Sequence, residues 1–371
     1  MPKPAGWTLA GGRALPNLLF VTCIDALKGK IGTVAAADIR ASLTAAGQTV
    51  LTLTTAQAAS ATNAIAAVVP AITPNIQGIV LLGGHDVVPL QLIDTLSPSL
   101  QPLVSRGVDE DAFMVWSDDA YGNSAGGMYP DLPVTRIPDA QSATFMWTCL
   151  AAPAVAPAVG YGIRNVARPF ADGVYASGVA HPTLPMLTTD PTVSGVPPTY
   201  TLAGQNVYIM MHGSDVDATH FWGEDGAGGY PIGVAITDAP SVAGNIALIG
   251  CCWGAMIVTP KASAVAGAAV TSRGVADSIA MTFLERGARA FMGCTGTHYS
   301  PTVPPYQYYG GPLHAAFWAR LAAGSAPAKA LFEAKYLDYA PAIPHAGSTA
   351  ASDKAIEQKI MCQFTTLGLG W

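Results

Sequence analysis

The chain alternates short apolar runs with Ala-rich stretches of helical composition. Leu18-Leu19-Phe20-Val21-Thr22 is an apolar run of strand length. Val34 to Ala46 is rich in helix formers and ends at Gly47, a natural C-terminal stop. Thr49 to Leu53 predicts a second strand, and Ala56 to Val69 a helix that stops before Pro70. Gly78-Ile79-Val80-Leu81-Leu82 predicts a third strand, broken at Gly83-Gly84. Strands that are apolar at every position fit a parallel sheet buried on both faces. The succession of strand and helix therefore predicts parallel strands covered by helices on either side.

Pro153 and Pro157, set among Ala and Val, interrupt this rhythm. They suggest a boundary near 155, between an N-terminal unit (1–155) and a second unit (156–371). Beyond it the pattern predicts strands at 173–177, 206–211, 246–250 and 288–293. Helices are expected at 263–285, 312–323 and 326–336. The segments 181–200 and 214–244, rich in Gly, Pro and Asp, read as long loops flanking the strand at 206–211. Long loops at strand ends often carry function.

Composition narrows the function classes. Half of the 371 residues are apolar and 11% are charged, enough for a large core and against extensive disorder. A net charge of −6 without a Lys/Arg cluster excludes a nucleic-acid face. The most apolar windows are interrupted by Asn63, Pro70, Pro74, Asn75 and Gln77, or by Asn245. No membrane span of about 20 apolar residues results. Six cysteines do not make a disulfide framework, and no Cys/His spacing resembles a zinc site. The first residues lack the regions of a secretory signal, so the chain reads as cytoplasmic, or as secreted if a leader was trimmed.

Two strand ends carry the chemistry. Val207 to Met211 runs into His212-Gly213-Ser214, and Ile246 to Gly250 runs into Cys251-Cys252-Trp253-Gly254. In an open parallel sheet, ligands bind at the C-terminal strand ends. If the two strands are neighbours, an imidazole and a thiol emerge at one edge, and the imidazole can activate the thiol. The backbone N–H groups of Gly213 and Cys252 can serve as an oxyanion hole, where one donor is worth about 3–4 kcal/mol. The caspase signature Gln-Ala-Cys-x-Gly, laid on Gly250-Cys251-Cys252-Trp253-Gly254, puts the nucleophile at Cys252.

Further segments extend the pattern. They are Ile79 to Pro89, with Gly83-Gly84-His85-Asp86; Ser117-Asp118-Asp119-Ala120-Tyr121-Gly122; Asp131 to Pro138; and Gly287 to Gly293. In this order the chain resembles the gingipain-type cysteine peptidases (peptidase family C25), relatives of caspases, over about residues 15 to 340. Thr135 stands where Gly is usual in that family. The resemblance implies a three-layer α/β/α caspase-like fold with two side-by-side subdomains and mainly parallel sheets. It implies His212 as general base and acid, Cys252 as nucleophile, and a thioester intermediate, chemistry that requires no cofactor. It places Tyr299 and Ser300 in the wall of a substrate pocket, with Trp253 behind the nucleophile and Asp190 in the loop that reads the substrate side chain.

The acid that orients the catalytic His in some gingipains has no match in Tyr175 to His181, so either the dyad lacks a carboxylate partner or Asp215, Asp217 or Glu224 serves. Asp118 and Asp119, with Asp109, Glu110 and Asp111, are candidate ligands for a structural calcium ion, or a solvated acidic loop. His85 and Asp86 read as structural. The expected partner is a peptide or protein substrate, with an oligomer or regulatory protein as a further candidate. A catalytically silent scaffold of the same fold is the alternative reading.

Overall fold

Burial on both faces organises the centre of the molecule. The computed structural model describes residues 1–127, 129–155, 160–179, 186–188, 206–224, 227–342 and 350–371. Ten strands form one sheet: β1 (Leu18–Thr22), β2 (Thr49–Thr52), β3 (Gly78–Leu82), β4 (Val134–Ile137), β5 (Gly160–Arg164), β6 (Leu187–Thr188), β7 (Asn206–Met210), β8 (Ile246–Ile249), β9 (Ala290–Cys294) and β10 (Phe364–Leu367). Their spatial order is β2-β1-β3-β4-β10-β9-β8-β7-β5-β6. All neighbours are parallel except β9 and β10, which run antiparallel with Phe291 opposite Leu367. The strands before residue 155 thus fill one side of the sheet and those after it the other. The C-terminal strand β10 lies at the seam.

Nine helices accompany the sheet among the described residues: α1 (Ile24–Ile31), α2 (Thr33–Ala45), α3 (Ala61–Val68), α4 (Ala143–Ala151), α5 (Phe170–Val174), α6 (Ile279–Glu285), α7 (Gly310–Ala322), α8 (Pro327–Glu333) and α9 (Ala351–Gln363). Alternate residues of β7 show the layering, because successive strand side chains point to opposite faces. Val207 and Ile209 join a core with Phe283 of α6, whereas Tyr208 and Met210 join a second core with Phe317 and Trp318 of α7. Both faces are dry, as the uninterrupted apolar runs predict.

Two expectations are corrected. Residues 173–177 are helical, because α5 continues into a wider helical turn at Tyr175–Val179. The strand stands earlier, at β5, where Gly160 and Gly162 hide the apolar pattern. Gly162 is needed there: a Cβ on it would lie 2.6 Å from the Tyr175 ring. The helix expected over 263–285 shrinks to α6. Ser278 caps it through the Met281 N–H, and the preceding residues form a short turn and a two-stranded ribbon of Val258–Thr259 with Thr271–Ser272. Gly267, at φ 76°, interrupts any helix there.

No described helix is long and apolar enough to cross a membrane.

Candidate active site

Register places the two motifs side by side. β7 and β8 are parallel neighbours with Ile209 opposite Ile249, so His212 and Cys252 leave the sheet at the same edge. The approach is closer than strand spacing alone requires: a Cβ on Gly213 would lie 2.0 Å from the Cys252 carbonyl oxygen. Only glycine permits that packing.

His212 is fixed from several sides. Its N–H donates to the Trp222 carbonyl at 2.9 Å, and the Trp222 N–H returns a bond to the His212 carbonyl at 3.0 Å. Its ring meets Tyr230 edge-on, with centroids 5.1 Å apart. Nε2 lies 3.0 Å from Oε2 of Glu224. Of the three acids offered by the sequence, the structure selects Glu224. Asp215 pairs with Lys261 and Asp217 with His220. A carboxylate on Nε2 favours the Nε2–H tautomer and leaves the Nδ1 lone pair as the base.

The two cysteines differ sharply. Cys251 is fully buried and Cys252 only partly. Burial pushes the Cys251 thiol far up. Burial also pushes the Cys252 thiol up, against the His298 N–H and the Arg168 guanidinium, which pull it down. The His298 N–H donates to Cys252 Sγ at 3.3 Å. No hydrogen bond joins Sγ to His212. The N–H groups of Gly213 and Cys252 find no acceptor among the described residues.

The residue after Cys252 is strained. Trp253 has φ 51°, a left-handed conformation rare for a bulky residue. Three contacts hold it there. Its N–H donates to the Gly296 carbonyl at 2.9 Å, its indole N–H donates to Asp111 at 3.0 Å, and Lys261 sits over its ring at 4.9 Å. Asp111 also accepts from the Thr297 N–H at 2.5 Å, which ties the turn at Cys252–Trp253 to the loop after β9. The Lys359 ammonium, fully buried, lies 2.5 Å from Asp109 and 2.6 Å from Asp111. Tyr299 donates its hydroxyl to Asp109 at 2.7 Å and lies under Lys359.

The candidate pocket residues therefore fall as follows. Trp253 is buried in the turn after β8, Tyr299 is braced and half-buried, and Ser300 is half-buried with its hydroxyl on His298. Asp190 lies outside the described residues. Four of the acids named as calcium candidates have basic partners: Asp118 with Arg136, Asp119 with Lys335, and Asp109 and Asp111 with Lys359. Among the described residues, no group of three or more His, Cys, Asp or Glu is arranged to hold a metal. His85 accepts from the Leu90 N–H at 3.2 Å and packs on Trp116, while Asp86 pairs with Lys30.

Three groups beside the site carried no sequence signal: Arg168 after β5, and the buried imidazoles of His298 and His314. Each is a single polar residue whose placement comes from the fold, and of the three His298 meets Cys252 directly, through its N–H.

The fold is that of the gingipain-type, caspase-like cysteine peptidases. The crystal structure of the Arg-specific cysteine proteinase gingipain R (RgpB) superposes with a TM-score of 0.53 at 11% identity, covering 98% of this chain and 79% of that one. The complex of Porphyromonas gingivalis RgpB pro- and mature domains gives 0.54 at 10% identity, over 95% and 78% of the two chains. A further protease structure gives 0.57 at 12% identity, over 96% and 77%. No protein-family model and no curated protein sequence matches the chain.

Proposed function

We propose that the protein is a cysteine endopeptidase working through Cys252 and His212. The observation that carries this reading is the convergence at one sheet edge of a partly exposed thiol, an imidazole backed by Glu224, and two unengaged N–H donors. In the reaction, the thiol proton passes to Nδ1 of His212 as Sγ attacks the scissile carbonyl. The N–H groups of Gly213 and Cys252 receive the oxyanion. Collapse breaks the C–N bond, and His212 returns the proton to the leaving amine. Water, deprotonated by His212, then cleaves the thioester. Glu224 keeps the imidazole oriented and stabilises its charged form.

One observation favours the alternative, a silent scaffold: burial holds the thiol protonated, and no hydrogen bond links it to His212. Catalytic hydrogen bonds often tighten only once substrate is bound. Cleavage of a pooled peptide library decides between the two. The wild-type protein cuts and Cys252→Ala does not; cleavage retained by Cys252→Ala overturns the peptidase reading.

A further inference from the structure

A chain of buried polar groups lies under the site and plays no part in the proposed reaction. The Tyr208 hydroxyl is 2.9 Å from Nδ1 of His314, Nε2 of His314 is 3.2 Å from Nε2 of His298, and Nδ1 of His298 is 2.9 Å from Oγ of Ser300. Tyr208 and His314 are fully buried and His298 nearly so; Ser300 is the only half-exposed member. Glycines make the room: a Cβ on Gly250 would lie 2.7 Å from His314, and one on Gly310 would lie 2.5 Å from His298.

The hydrogen bonds can run in only one direction without loss. Burial holds both imidazoles below the usual range, His314 at about 3, so each carries a single N–H. If His314 donated to Tyr208, the buried phenol O–H would have no acceptor, at a cost of about 1–3 kcal/mol. Tyr208 therefore donates to His314, His314 Nε2–H donates to His298, and His298 Nδ1–H donates to Ser300. Ser300 is left as an acceptor towards the interior, with its own O–H free for solvent or ligand. It follows His298, whose N–H meets Cys252 Sγ, by two residues, a span of at most about 7 Å.

A second, independent feature sits at the same edge. The Asn165 N–H donates to the Met210 carbonyl at 2.9 Å, so the turn leading to Arg168 leaves the sheet beside the strand that carries His212. Among the described residues, the half-buried Arg168 guanidinium has one hydrogen bond, to the Ala167 carbonyl at 3.4 Å, and no carboxylate partner. Its charge reaches both Cys252 and His298. Other acids are engaged elsewhere: Glu224 by His212, Asp172 by Arg164, Asp109 and Asp111 by Lys359. Glu110 is exposed and accepts from Thr297 at 3.3 Å.

We propose that Ser300, polarised as a donor by the Tyr208–His314–His298 chain, and the unpaired Arg168 together read a carboxylate on the ligand of Cys252, an Asp or Glu side chain of the substrate. This rests on Cys252 acting as the nucleophile proposed above.

Thiol-reactive peptidyl probes carrying Asp, Asn or Arg beside the reactive carbonyl test it, with labelling of Cys252 followed by intact mass and iodoacetamide as the non-peptidic control. Asp is expected to label faster than Asn by about tenfold or more, with Arg slowest. Arg168→Gln should bring the Asp and Asn rates together, and Ser300→Ala should slow both. Nitrogen-15 NMR of the wild-type protein should find Nδ1–H on His298 and Nε2–H on His314. An Arg probe that labels fastest, an Asp/Asn ratio unchanged by Arg168→Gln, or the opposite tautomers overturns the proposal. If iodoacetamide labels Cys252 and no peptide probe does, the peptidase reading falls and takes this one with it. Labelling without preference for Asp removes this one alone.

Discussion

Oε2 of Glu224 lies 3.0 Å from Nε2 of His212, and the two side chains are comparably half-exposed at 26% and 28%. The pair sits across the turn that brings Trp222 back against His212. Glu224→Gln keeps the shape and removes the charge. It should lower kcat while leaving KM near the wild-type value. The loss should stay within the 10²–10⁴-fold that general acid–base catalysis typically contributes, about. An unchanged kcat would show that Glu224 plays no part in proton transfer.

Gly213→Ala should silence the site without unfolding the protein. The new Cβ would have to displace the Cys252 carbonyl, 2.0 Å away, and with it one or both oxyanion donors. Losing one such donor typically costs about 10²–10³ in kcat. Circular dichroism should stay native while turnover drops; native turnover would mean that the two backbones are free to separate.

Cys252 should alkylate with iodoacetamide much faster than the buried Cys251. The pH profile carries the sign of the burial effect. Because the thiol is pushed up, its thiolate fraction keeps growing as pH rises through and beyond the ordinary thiol value of about 8.5. The rate should therefore still climb there. A plateau near neutrality would reveal a thiolate already formed in the free protein.

The buried imidazoles should make the fold acid-sensitive. His314 is held down to about 3, so it stays neutral in the folded protein while the unfolded chain takes up a proton below about 6.5. The unfolded state then binds more protons, and stability falls as pH drops from about 6.5 towards 3, by up to about 1.4 kcal/mol per pH unit for this one group. Urea unfolding at pH 7, 6 and 5 measures the slope. His314→Gln should flatten it, and an equal slope in the variant would place the acid sensitivity elsewhere.

Lys359→Met should destabilise strongly. It leaves Asp109 and Asp111 facing each other in the interior without their cation, a loss of about 3–5 kcal/mol. Adding Asp109→Asn and Asp111→Asn should recover part of it. Denaturant titration of the single and triple variants reads both effects; a single variant within about 1 kcal/mol of wild type would deny the cluster its structural role.

The sheet was legible where its strands are apolar at every position, as in β1, β3, β7 and β8, because two buried faces leave no room for polar residues. Legibility failed where packing depends on glycine or on buried charge. β5 reads Gly-Tyr-Gly-Ile-Arg, since a tyrosine ring occupies the space of a side chain. α9 hides because it buries Glu357, Lys359 and Gln363, residues a sequence assigns to solvent. His212 and Cys252 stood out through strand ends followed closely by glycine, and the register of their strands brings them to one edge. Glu224 stood only as one of three acids, because a loop sequence says nothing about which carboxylate folds back. Arg168, His298 and His314 reach the site solely through tertiary placement.

The seam strand has a consequence for how the protein is made. β10 comprises residues 364–367, yet it occupies a central place in the sheet, between β4 and β9. A ribosome must therefore deliver the chain as far as residues 364–367 before the two halves can join. Until then β4 and β9 each present an open edge, and the loop after β9 that meets Cys252 lacks the support of α9 and its lysine. Vectorial synthesis thus delays assembly of the surroundings of Cys252 until β10 and the preceding α9 have been made.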